Sequence, residues 1–94
     1  MLCIIFRLFK TVIRKTKTFL SYLSKLPNDV SKIYKKQEEI FLENWLDSRL
    51  HSKRLKELNG TFSFRITRRY RVLFYFRNKE AIFFSIGHRK DIYE

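Results

Sequence analysis

The chain has 94 residues, 45% of them hydrophobic and 17% aromatic, so it is too apolar for a disordered tail and long enough for one small core. A net charge of +12 and a pI near 10.2 point to a polyanionic partner: nucleic acid first, then an acidic protein or an anionic membrane surface. Cys3 is the single cysteine, which excludes an internal disulfide framework and a thiolate metal site.

Residues 1–8 read as an N-terminal extension and 9–94 as a single domain. The opening apolar stretch is broken by Arg7 and Lys10 and lacks a basic lead-in and a small-residue cleavage site, so it is a poor signal peptide. No apolar run approaches the ~18 residues that span a bilayer, and the chain reads as cytoplasmic, without a membrane partner. Phe9 to Arg14 carries β-branched residues and reads as the first strand.

Phe19, Tyr22, Leu23 and Leu26 then recur at i, i+3, i+4 and i+7, one face of a short helix that Thr16 or Thr18 caps and Pro27 ends. A second helix follows, with Val30, Ile33, Tyr34, Ile40 and Phe41 as its apolar stripe and Gln37 as the one polar interruption. Lys32, Lys35 and Lys36 fall off that stripe. Asn44 to Gly60 is a connector with Trp45, Leu46, Leu50, Leu55 and Leu58 as apolar anchors and the basic run from His51 to Arg54 at its middle.

From Thr61 onward the residues alternate in three runs, broken at Thr67-Arg68 and Asn78-Lys79, which is the pattern of three antiparallel strands. One face collects Phe62, Phe64, Ile66, Tyr70, Val72, Phe74, Phe76, Ile82, Phe84 and Ile86 and should pack on the helices. The other carries Arg65, Arg71, Tyr75 and Phe83, a mixed face on which arginines are costly to bury without an anion. The predicted architecture is α+β: a helical hairpin on one face of a small, mainly antiparallel sheet, with an open basic face opposite.

The histidines, His51 and His88, have no ligand spacing around them, and two glycines do not make a phosphate loop, so no metal or cofactor is expected. Phosphodiester chemistry fits better. Arginine grips phosphate with a planar, two-pronged donor set, and RNA brings its own nucleophile, the 2′-hydroxyl. Such cleavage needs a base, an acid for the 5′-oxygen and cations around the crowded phosphate. Arg65, Arg71 and Arg89 are candidates for the cations, and His88, His51 or Tyr93 for the protons. Tyr75 and Phe83 are candidates for stacking bases. Each also has a plain reading: His88 as a strand-end surface residue, Arg71 as an ion-pair partner of Asp91 or Glu94, Tyr93 as a packing residue.

Several stretches together resemble the RelE/ParE superfamily of bacterial toxins: Thr16 to Leu20, Leu23 to Pro27, Phe41 to Asn44, Asp47 to Leu50, Phe62 to Thr67, Tyr70 to Phe74 and Ile86 to Tyr93. The chain looks most similar to the RelE-type branch with its YafQ-like members. That resemblance implies the toxin of a type II toxin–antitoxin system, a ribosome-dependent mRNA endonuclease neutralised by an acidic antitoxin. It implies that Arg71 contacts the scissile phosphate, that Arg65 and Arg89 are further basic site residues, and that Tyr93 acts or stacks near the 2′-hydroxyl. His88 lies where related members place a basic residue or histidine. Ser63 departs from the pattern, standing where RelE has a second lysine, and His51 or Lys53 is expected to compensate. Lys32, Lys35 and Lys36, with His51 and Lys53, are expected to bind RNA, including ribosomal RNA. Two other readings stay open: a ParE-like toxin that inhibits DNA gyrase without cutting RNA, and an inactive relic that only binds its antitoxin.

Overall fold

The computed structural model describes residues 11–92, so the predicted extension at residues 1–8, the start of the predicted first strand and Tyr93 lie outside the described residues. Strand β1 (Val12–Lys15) leads into helix α1 (Lys17–Ser24) and helix α2 (Asn28–Glu43). A 3₁₀ turn (Ser48–Leu50) and a two-residue strand β2 (Lys53–Arg54) follow, then β3 (Phe62–Arg65), β4 (Tyr70–Arg77), β5 (Glu80–His88) and a final helical turn α3 (Arg89–Ile92). The five strands form one sheet in the order β1-β5-β4-β3-β2, with β1 parallel to β5 and every other pair antiparallel. The α+β architecture is as predicted, with β2 and α3 as additions.

Local chemistry explains the element boundaries. The Thr16 hydroxyl accepts the Phe19 N–H at 3.1 Å and so caps α1, while the Thr16 backbone N–H still donates to the Phe83 carbonyl at 3.1 Å. The chain therefore passes from strand to helix in one residue. Pro27 stands at the N-cap of α2, where its missing N–H costs nothing. Asn78 and Lys79 both have positive φ, 51° and 66°, the left-handed pair that a two-residue hairpin between Arg77 and Glu80 requires.

The core lies between the helices and one sheet face, and it is aromatic. Phe41 of α2 meets Phe64, Phe74 and Phe83 with ring centroids 5.2, 5.0 and 5.0 Å away, and Phe19 of α1 meets Phe83 at 5.5 Å. Val30, Tyr34, Val72, Ala81 and Ile86 complete it. Polar groups on this side are matched. The Tyr34 hydroxyl donates to Glu38, which also holds Lys15 at 2.7 Å. Gln37, the interruption in the α2 stripe, donates to the Arg65 carbonyl at 2.9 Å and to that of Arg49 at 3.2 Å.

In β5 the predicted faces are reversed over half the strand. Leu73 pairs with Ser85 but Phe74 pairs with Phe83, so Phe84 is an extra residue, a β-bulge that flips the alternation. Ala81 and Phe83 are fully buried in the core, and Ile82 and Phe84, predicted there, lie on the far face, Phe84 against Tyr75 at 5.6 Å. Phe83 is therefore no base-stacking residue. Of the predicted apolar stripe, Tyr22, Ile33 and Phe76 are at least 37% exposed.

Candidate functional site

The far face of the sheet is built by cross-strand pairing. Arg65 of β3 stands directly opposite Arg71 of β4, which in turn pairs with Gly87 of β5. Two residues along, a distance of about 7 Å, the row reads Lys53, Ser63, Leu73, Ser85 across four strands. Directly opposed residues share a face, so the basic residues Lys53, Arg65 and Arg71 all project on the side away from the helices.

This face carries the expected charge, but its centre is not bare. Ser63 and Leu73 are 0% and 2% exposed, and Arg71 only 7%. The Ser63 hydroxyl and the Arg65 Nε are buried without a hydrogen-bond partner. Like charges set directly opposite each other in a sheet repel, and an orphaned buried donor costs free energy. An anion lying against Arg65 would give its Nε a partner.

The other candidates are dispersed. Lys53, the cross-strand neighbour of Ser63, stands where a basic side chain can serve the position that Ser63 leaves without one. His51 is exposed, at a left-handed φ of 49° two residues before Lys53. Arg89 opens α3, its N–H donating to the Arg69 carbonyl at 2.6 Å and its side chain exposed. Lys32, Lys35 and Lys36 are all exposed on α2.

His88 faces the other way. It pairs with Tyr70, whose ring lies edge-on at 5.5 Å, on the side of the sheet that carries Val72 and Phe74. There it lines a cleft of about 520 Å³ with Tyr22, Lys25, Leu26, Pro27 and Asp91. Sequence alternation places His88 there with Ile86, two residues before it, because the bulge at Phe84 precedes both. Lys25 and the turn before Pro27 were not singled out as site residues; their place in the cleft depends on packing that no local pattern records.

Among the described residues, no group of three or more histidine, cysteine or carboxylate side chains could hold a metal ion. No helix of the described residues is long and apolar enough to cross a membrane.

No protein-family model and no curated protein sequence matches the chain. Solved structures do. It is similar to a chain of the RelB–RelE antitoxin–toxin complex from Methanococcus jannaschii, at 29% identity over 84% of this chain and 93% of that one, with a TM-score of 0.69. A chain of the toxin–antitoxin complex RelBE2 from Mycobacterium tuberculosis gives 26% identity, 86% and 100% coverage and a TM-score of 0.69. YafQ from E. coli aligns over 90% of this chain and all of its own, with a TM-score of 0.74 at 11% identity. The fold is that of the RelE-type toxins. Within the RelE-type fold this chain carries its opposed arginines on the face turned away from the helices.

Proposed function

We propose that the chain is the toxin of a type II toxin–antitoxin system and an endoribonuclease that cuts mRNA on the ribosome. The observation that carries this reading is the opposed pair Arg65 and Arg71, with the Nε of Arg65 buried and unpartnered, on a RelE-type fold. In the proposed reaction the 2′-hydroxyl oxygen attacks the adjacent phosphorus and the bond to the 5′-oxygen breaks. The products are a 2′,3′-cyclic phosphate and a 5′-hydroxyl. Arg65 and Arg71, with Arg89, stabilise the charge that gathers on the phosphate oxygens. The Lys53 ammonium donates a proton to the departing 5′-oxygen, and Tyr93, as its phenolate, accepts the proton that leaves the 2′-hydroxyl. His88 is given no proton transfer, because it stands on the opposite side of the sheet from Arg71.

Lys32, Lys35, Lys36 and His51 are the residues proposed to meet ribosomal RNA, so binding weakens steeply as salt rises. The partner that silences the protein is an acidic antitoxin that folds on the basic surface, in the cytoplasm. The test is primer extension on an mRNA in a purified translation system, with and without ribosomes. Wild type should cut only with ribosomes, and Arg71→Ala should lose cutting by about 10²–10³-fold with its circular dichroism unchanged. A folded Arg71→Ala that cuts normally sinks the site assignment. Cutting of naked RNA would make it a ribosome-independent nuclease, and no cutting at all would turn attention to gyrase supercoiling.

A further inference from the structure

The end of β5 is only half covered. Strand β1 pairs with it as far as Lys15 opposite Phe83, and the chain then leaves as α1. Beside Ser85 to His88, on that edge, lies the cleft of about 520 Å³. Its size falls in the ~300–1,000 Å³ range of small-molecule sites. Tyr22, Lys25, Pro27, Tyr70, His88 and Asp91 are among its lining residues.

Tyr22 is the unexpected member. It occupies an apolar-stripe position of α1 yet is 43% exposed, so burial in the core does not account for it. His88 is likewise oriented: the Lys90 N–H donates to its Nδ1 at 3.1 Å, which leaves the ring hydrogen of the neutral form on Nε2 as a donor for an outside acceptor. Among the lining residues Lys25 is an exposed cation and Asp91 a carboxylate. Planar rings with a hydrogen-bond donor and a cation are what an unstacked base of single-stranded RNA requires. Gly87, the cross-strand partner of Arg71, also lines the cleft through its backbone.

We propose that this cleft seats one base of single-stranded RNA, stacked on Tyr22 with its edge read by His88. The choice of RNA rests on the function proposed above, but the test does not need cleavage. A fluorescein-labelled 2′-O-methyl oligonucleotide containing 4-thiouridine has no free 2′-hydroxyl and cannot be cut by that route. Its affinity is read by anisotropy and its position by photo-crosslinking and peptide mapping, for wild type, Tyr22→Ala and Tyr22→Phe. The expected result is a crosslink within the Tyr22 or Tyr70 peptide, about tenfold weaker binding by Tyr22→Ala and recovery by Tyr22→Phe. Equal affinity of Tyr22→Ala and wild type, or crosslinks confined to other peptides, would overturn the proposal even if the protein cuts mRNA. A protein that never cuts can still pass.

Discussion

The two faces of this sheet obey opposite rules. Toward the helices, four phenylalanines from α2, β3, β4 and β5 close around one another, and the polar groups among them, Gln37 and the Tyr34 hydroxyl, have partners. Away from the helices, arginine faces arginine and two buried polar atoms have none. The first face is arranged for stability. The second keeps an orphaned donor on Arg65 that a bound anion can satisfy, which is where function is expected to sit.

The sharpest way to break the first face is Phe41→Ala. The ring contacts Phe64, Phe74 and Phe83 at once, so its loss should destabilise the fold by about 3–5 kcal/mol, read as a fall in the urea midpoint. A loss under about 1 kcal/mol would mean the helix is not the lid of the core. The second face should respond in the opposite sense. Ser63→Ala removes an orphaned hydroxyl and should stabilise by about 1 kcal/mol in the same titration. Destabilisation would show that the hydroxyl has a partner after all.

The smallest effect concerns pH. Burial, and then the bond to Glu38, push the Tyr34 hydroxyl above its ordinary pKa of 10.0. The folded state thus holds a proton that the unfolded chain gives up near pH 10, so this contribution is complete below that pH and is lost as pH rises past it. Moving from about pH 8 to about pH 10.5 should cost wild type about 0.8 kcal/mol more than Tyr34→Phe. Identical pH dependence of the two proteins would refute the assignment.

How far these features could be read in advance depends on how much a local pattern constrains them. The helices were legible because their apolar spacing, the Thr16 cap and Pro27 all agree. The β3 and β4 faces were legible because polar and apolar residues alternate from Phe62 to Ile66 and again from Tyr70 to Val72. In β5 both parities are apolar, Ala81 and Phe83 against Ile82 and Phe84, so alternation carries no direction and the bulge decides. Strand β2 is two residues long, below any period, and so Lys53 was seen as part of a connector, not as the neighbour of Ser63. The arginine pair followed from β3 and β4, and the separation of His88 from it lies in its two-residue spacing from Ile86.

The parallel pairing of β1 with β5 has a consequence for the order in which the molecule comes into being. The Arg14–Glu80 bond joins residues 66 apart in sequence, at the sheet's parallel seam. Among the sheet's strands, β1 touches only β5, the last to be synthesised. A chain still emerging from the ribosome therefore holds its first described strand and α1 without their seat, while β3 and β4 can already pair by a short loop. Long-range closure of this kind is slow and comes late. Phe83 and Gly87 arrive on that same strand, so the helical lid and the pairing partner of Arg71 are completed by one event.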